Sequence, residues 1–387
     1  MRKALGLAIL ILSIAAGTAQ ADEPPALPAS AQVAADRATL SKLATDGVRR
    51  VKNLWWNSRA GWYNERISGS GSHPLASIWS TVHLFNALNA VAAADRTRLH
   101  LRMVQHFASA ADRLYWNPLA GHIPHTRKHI GGYSPYPNWR GTGVHTFYDD
   151  NGWLGLAFYN AWQITGKRRY LRAAERAFAF TAITGWAKKL GGGVWWDTRH
   201  TSRSSEGIAS NALLGALLYK ATKRPDYLRR TRIYIAWSNG HIWDPQAQLY
   251  ERDPNSPILM RYVQSPIMAA EQTLCETTGD QSWCASAKAL GDATLRHFAA
   301  AANHGPQYDS IFMEWMLYQY AQDHDSRWYA LGYYNAKRAL ANSGDGTGLF
   351  LKDWDGNVLP NRNSLQYETS TLSLFAWVAA AQPPAST

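Results

Sequence analysis

The sequence predicts an all-α fold assembled from helical hairpins. Apolar residues recur at three- and four-residue steps along most of the chain, the period of a helix with one buried face. β-type alternation is sparse and short, whereas an α/β fold needs recurring buried strands. The third observation is a repeat: a helix-ending turn is followed by an aromatic residue that opens the next helix, at a spacing of about 56 residues. Helix pairs stacked in this way form an open solenoid or a closed ring.

Taken in order, the chain begins with Arg2 and Lys3, an apolar run from Ala4 to Ala16, and the small-residue site Ala19-Gln20-Ala21. This pattern reads as a signal peptide over residues 1–21. The run is short for a membrane span, which needs about 20 apolar residues. Residues 22–34 are Pro-rich and read as a flexible leader, and residues 35–380 as a single domain without an internal linker. The mature chain is expected to be periplasmic or secreted, to carry no integral membrane segment and to act as a monomer.

The first strongly periodic helix is Ala76 to Ala92, with Ile78, Val82, Phe85, Leu88 and Val91 on one side. Gly152 to Thr165, Tyr170 to Phe180, Ser210 to Lys220, Tyr227 to Trp237, Pro266 to Glu276 and Ile311 to Gln322 follow. The repeated turns are Thr165-Gly166-Lys167 before Tyr170, Thr222-Lys223-Arg224 before Tyr227, and Thr278-Gly279-Asp280 before Trp283, with a related unit from Asp325 to Tyr329. Aromatic, Gly-rich loops lie between helices at 54–65, 114–124, 191–197, 241–252 and 344–356. Their recurrence predicts one loop-bearing face on a rigid scaffold, where functional groups commonly sit. Cys275 and Cys284 bracket one turn. An oxidising compartment permits a structural disulfide there if the Cα atoms lie within about 7 Å. Two free buried thiols are the alternative.

Composition narrows the function. The chain holds 18 Trp and 19 Tyr against 10 Phe. Trp and Tyr add a flat face and a polar handle to core volume, which suits stacking on sugar rings. The formal net charge is +12, compatible with an acidic polymer or an anionic envelope surface as partner. The basic residues are spread over many helices. No zinc-finger spacing, basic arm or RNP-like strand is present, so nucleic acid is not an expected partner.

The strongest local signal is Thr146-Phe147-Tyr148-Asp149-Asp150-Asn151-Gly152-Trp153. Two carboxylates head an apolar helix. One can cap first-turn N–H groups while the other faces solvent. Alternatively, the flanking Phe147, Tyr148 and Trp153 wall the pair in. Burial and a like-charged neighbour raise a carboxyl pKa, while the helix dipole favours the ionised form. Such a balance separates a protonated general acid from an ionised partner, as glycoside hydrolysis requires. A separation of about 5–5.5 Å suits a covalent retaining mechanism and about 6.5–9.5 Å an inverting one.

These residues also carry a family resemblance. Tyr148 to Trp153 (YDDNGW), Thr165 to Leu171 (TG-x-x-x-Y-L), Gly191 to Trp196 (GGGVWW), Ser210 to Thr222 and Asp226 to Trp237 stand in the order found in bacterial members of glycoside hydrolase family 76. The chain resembles those endo-α-1,6-mannanases over roughly residues 45 to 375. The resemblance implies an (α/α)6 barrel with the acid pair in its central cleft, and a retaining mechanism with no cofactor and no metal. It implies Asp149 as nucleophile, Asp150 as general acid/base, and a polysaccharide or oligosaccharide substrate with an α-1,6-linked mannose backbone. Two elements depart from the family: Tyr-Asn-Gln-Gly is replaced by Tyr262-Val263-Gln264-Ser265, and Asn-Ala-Pro by Asn211-Ala212-Leu213. Tyr262 and Gln264 stay candidates for substrate contact, with His145, Tyr148, Trp153, Trp195, Trp196 and Asp197.

Weaker signals accompany these. His122, His125 and His129 have a metal-like spacing but lack an acidic partner. Asp309 and Glu314 lie near a helix start, and Asp309 reads as a cap. Asp353-x-Asp355-Gly-Asn357 lacks the full twelve-position calcium loop. Three other functions share the residue pattern: a hydrolase or transglycosylase of another α-linked glycan such as an α-glucan, a non-catalytic carbohydrate-binding protein, and a sugar epimerase or unsaturated-uronate hydrolase.

Overall fold

The computed structural model describes residues 23–360 and 363–385. The segment 1–21 read as a signal peptide lies outside them. Twelve α-helices are found among the described residues. They are α1 (Ser30–Trp55), α2 (Ile78–Ala94), α3 (Arg98–Tyr115), α4 (Tyr148–Thr165), α5 (Arg168–Thr184) and α6 (Ser205–Thr222), followed by α7 (Pro225–His241), α8 (Arg261–Thr278), α9 (Gln281–His297), α10 (Pro306–Asp323), α11 (Ser326–Asn342) and α12 (Leu365–Ala380).

The even-numbered helices form a ring. α2 packs on α4, α4 on α6, α6 on α8, α8 on α10, α10 on α12, and α12 returns to α2. The odd-numbered helices surround them, and α1 lies against α12. The closed ring, not the open solenoid, is therefore the outcome: an (α/α)6 barrel. Burial explains the sorting. Inner α4 buries 13 of its 18 residues, whereas outer α3 buries only seven of 18. A helix apolar all round must be enclosed, and an amphipathic one can face water.

The turns seen in the sequence are the inner-to-outer connections. α4, α6, α8 and α10 each end on a left-handed residue, Gly166, Lys223, Gly279 and His324, whose N–H closes the last turn. Tyr170, Tyr227 and Trp328 are then buried in the first turn of the next outer helix. Outer-to-inner connections are longer and carry the hairpins: β1 (Trp56–Asn57) with β2 (Trp62–Tyr63), β3 (Trp116–His122) with β4 (His129–Tyr133), and the sheet β5 (Trp243–Asp244), β6 (Leu249–Asp253), β7 (Ser256–Leu259).

Two sequence expectations are settled here. α1 starts at Ser30, before the residue at which the domain was expected to open, and Val33 is buried. Cys275 and Cys284 are joined across the α8–α9 turn with Cα atoms 5.3 Å apart, so the free-thiol alternative falls.

Candidate active site

The first turns of all six inner helices meet at one mouth of the barrel. Ser77 and Trp79 from the start of α2, Asp149 and Asp150 of α4, Glu206 of α6, Tyr262 of α8, Tyr308 of α10 and Gln366 of α12 line three adjoining cavities there. Their volumes are about 640, 270 and 310 Å³. Trp79 borders all three, so they form one cleft. Helix N-termini present partial positive charge, and six of them face this space.

Loops fix those first turns through the fourth residue of several inner helices. Asn151 accepts from the N–H of Tyr133 at 2.7 Å and donates to its carbonyl at 3.0 Å, binding α4 to β4. Gln264 makes the same pair of bonds to Tyr250 at 2.9 and 2.8 Å, binding α8 to β6. Glu368 of α12 accepts from the N–H of Phe350. The loop 191–197 docks on α4 as well, since Tyr148 N–H donates to the carbonyl of Trp196 at 2.9 Å. Close helix contact completes the arrangement. A Cβ on Gly152 would stand 2.2 Å from Ser210 Oγ, so this glycine lets α4 and α6 approach beneath the cleft.

The acid pair sits where the cavities join. Asp150 faces both the 640 and the 270 Å³ cavities, and Asp149 faces the smaller one with Glu206, Arg252, Trp196 and Tyr262. Asp150 is only 9 % exposed, and Asp149 Oδ1 is buried without a hydrogen-bond partner. Burial, then the nearby charge of Glu206, push Asp149 above the ordinary carboxyl range. The backbone N–H groups of residues 149 and 150 and the Trp196 side chain act in the opposite sense. Asp150 is raised well above its ordinary value by burial and by Asp149. The pair can therefore hold one proton between two carboxyls, the state that acid-assisted nucleophilic chemistry needs.

Of the residues singled out in the sequence, His145, Trp196 and Tyr262 do line the cleft with the pair. The others are directed elsewhere. Tyr148 is fully buried, with its hydroxyl bonded to the carbonyl of Thr184 at 3.0 Å and next to His200. Trp195 stacks on His200 at 5.3 Å between ring centroids. Asp197 is buried and ion-paired to Arg199, and both its oxygens are taken by that residue. Gln264 spends its amide on the Tyr250 clamp. Trp153 is buried below the cleft, its ring 6.3 Å from Tyr262. A helix turns about 100° per residue, so the neighbours of a cleft residue point into the packing instead.

Sequence reasoning missed Trp79, Tyr136, Glu206, Arg252 and Tyr308. Glu206 is 6 % exposed and raised by burial; it receives the hydroxyl of Tyr262 at 3.3 Å and lies 3.5 Å from Arg252 Nε. Its signal was an acid in the first turn of an otherwise apolar helix, the pattern that marks Asp149 and Asp150.

Elsewhere, His122 and His129 face each other across β3–β4 with ring centroids 5.6 Å apart. Among the described residues no group of three His, Cys, Asp or Glu side chains converges as for a metal ion. The N-cap of α10 is Gly305, not Asp309; Asp309 sits in the first turn and reaches back to accept from the N–H groups of His304 and Gly305 at 2.8 and 3.0 Å. Glu314 lies deep in the barrel, bonded by Asn86 and Asn160. Asp353 accepts from the backbone N–H groups of Asp355 and Asn357 and from the Asn357 amide, so its oxygens serve the loop itself. No described helix is long and apolar enough to cross a membrane.

The sequence profile of glycosyl hydrolase family 76 matches residues 43–381. No curated protein sequence matches the chain. Among solved structures, a family 76 α-mannanase of Bacteroides thetaiotaomicron is similar at 18 % identity and a TM-score of 0.79, over 90 % of this chain and 98 % of that one. A family 76 mannosidase of the same organism gives 20 % identity and 0.77, over 88 % and 98 %. An inactive variant of the α-1,6-mannanase of Salegentibacter sp. HEL1_6, with two consecutive aspartates replaced by asparagine and in complex with α-1,6-mannotriose, gives 15 % and 0.70, over 89 % and 100 %.

Proposed function

Because this chain belongs to glycosyl hydrolase family 76, we propose that it cleaves α-1,6-mannosidic bonds within an α-mannan backbone, with retention of anomeric configuration. The observation that carries the reading is the pair Asp149 and Asp150, held together at the mouth of α4 with both carboxyls raised and one raised further. Asp150, the more strongly raised, protonates the glycosidic oxygen as the bond breaks. Asp149, whose ionised form is favoured by the first N–H groups of α4, attacks the anomeric carbon and forms a glycosyl ester. Asp150, now ionised, takes a proton from water, which attacks the same carbon and releases the sugar and Asp149. Adjacent residues suit the short separation of about 5–5.5 Å that this double displacement uses. The inactivity of the double-asparagine mannanase with bound mannotriose supports placing the chemistry on such a pair.

Trp79, Trp196, Tyr262 and Tyr308 supply ring faces and hydroxyl groups for the sugars. The substrate is a glycan outside the cytoplasm, in keeping with the export signal read at residues 1–21. Reducing-end release on α-1,6-mannan, with α-glucans alongside, tests the reading, and NMR of the first products fixes the anomer. The expected result is α-configured manno-oligosaccharides, lost in Asp149→Asn by about 10,000-fold or more. Binding without turnover across the panel would make the chain a carbohydrate-binding protein, and turnover of α-glucan alone would change the substrate.

A further inference from the structure

A second large groove stands apart from the cleft. It lies on the outer wall of the barrel between α1 and α3, closed at one end by the β1–β2 hairpin, with a volume of about 790 Å³. Its floor is apolar and aromatic: Trp62, Tyr63 and Phe107 are buried and in edge or tilted contact with one another. Its rim carries Arg49, Lys52, Arg102, His106 and Arg113, all exposed. No carboxylate lines it. Arg49 has an ion-pair partner, Asp46, at 3.4 Å. Among the described residues Lys52, Arg102 and Arg113 have none.

Four cationic side chains around one concavity, with no carboxylate among its lining residues, give it a positive field that attracts an anion. The Lys52 ammonium lies over the Trp56 ring at the groove's side, a cation–π contact. The shape also selects. A long recess between two helices admits a chain, and the half-buried Trp56 and Met103 at its side offer apolar surface to ring faces. A flat lipid surface would reach the rim cations but not the floor.

We propose that the groove between α1 and α3 is a second carbohydrate site, which binds an anionic polysaccharide through Lys52, Arg102 and Arg113 and stands apart from the cleft. It would hold the protein on an acidic envelope or matrix polymer while the cleft works on another chain. The proposal concerns binding and does not depend on the cleft's bond specificity.

Calorimetric titration of the full chain with a hexagalacturonate and with a heparin-derived hexasaccharide tests it. At least one binds, binding weakens with salt, and a neutral hexagalactoside does not compete. The double variant Lys52→Glu/Arg102→Glu weakens that binding about tenfold or more, while Arg229→Glu/Arg232→Glu, an equal change of charge on exposed α7 positions, leaves it within about threefold. Asp149→Asn binds as the parent does. The proposal is overturned if neither hexasaccharide binds, if both charge-reversed pairs lose affinity equally, or if vesicles with phosphatidylglycerol bind through Lys52 and Arg102 where the saccharides do not. Melting curves of both double variants confirm that they are folded.

Discussion

The hydroxyl of Tyr262 donates to Oε1 of Glu206 at 3.3 Å, and this bond ties the first turn of α8 to that of α6 beside Asp149. Glu206 is the carboxylate that faces the acid pair in the smallest cavity, and its charge raises Asp149. Removing that charge in Glu206→Gln lowers the pKa of Asp149. Asp149 then stays ionised to lower pH, and the acid limb of the kcat/KM profile moves in that direction. The activity plateau falls by less than about 100-fold, since Glu206 forms no bond to the reacting carbon. A pH profile with an unmoved acid limb would remove Glu206 from this role.

The profile of the parent is bell-shaped for a related reason. The proposed double displacement needs one proton on the pair. It falls at low pH as Asp149 takes up a proton, and at high pH as Asp150 loses its own. Both carboxyls are raised, so the acid limb lies above the ordinary carboxyl range. Initial rates between pH 4 and 9 on one soluble substrate measure it, and a limb at ordinary carboxyl pH contradicts the burial described here.

Gly152→Ala puts a methyl group into Ser210 and Asn211. α4 and α6 must separate, at a cost of about 1–3 kcal/mol. The expected variant melts at lower temperature and loses activity more than stability, because the displaced turn carries Asp149 and Asp150. The pair Gly152→Ala/Ser210→Gly recovers part of both, as urea unfolding and rates together would register.

Reduction of the Cys275–Cys284 bridge, or its replacement by two serines, releases a short loop between α8 and α9. The loss is about 2–3 kcal/mol on chain-entropy grounds. The turn lies at the barrel end opposite the cleft, so rates at 25 °C stay within about twofold of the parent. A large drop in turnover at full folding would show that the turn communicates with the cleft.

Glu314 accepts from Asn86 and Asn160, each at 2.9 Å, and burial pushes its carboxyl up to about 8. The folded state therefore keeps a proton that the unfolded chain releases above the ordinary carboxyl range. The stability this supplies is complete at acid pH and is lost as pH rises through about 8. Glu314→Gln, neutral throughout, gains on the parent as pH rises between 5 and 8, by up to about 1.4 kcal/mol per pH unit. Equal pH dependence in the two proteins would place the proton elsewhere.

Five of the six inner helices were legible because they are long and apolar, and α4, α6, α8 and α10 are also closed by left-handed turns. The periodicity of Ala76 to Ala92 or Ile311 to Gln322 lies within a few residues of the ends of α2 and α10. α1, α3 and α12 were missed. α1 is polar over much of its surface, and its burial depends on α12, some 300 residues later. In the site, Asp149 and Asp150 could be found because two adjacent acids before an apolar helix are conspicuous. Tyr148 and Trp153 were drawn into the cleft by proximity in sequence, which a helix does not preserve in space. Glu206 was not singled out, since one acid in the first turn of a helix is commonplace. Trp79 and Tyr308 gave no local sign, since only ring closure brings α2 and α10 to the same mouth.

A ring is unfinished until its last member arrives. α12 closes the ring on α2 and also receives α1, whose Arg37 donates to the carbonyl of Ala379 at 2.7 Å. During synthesis, α2 leaves the ribosome nearly 300 residues before its partner. Until then its apolar flank has no permanent cover, and the cleft lacks Gln366 along with the clamp from Glu368 to Phe350. A chain stopped before residue 365 would be a helical crescent with an open, sticky edge. Loss of the last helix should therefore send the protein to aggregates and proteases, although every carboxylate assigned to the chemistry would still be present.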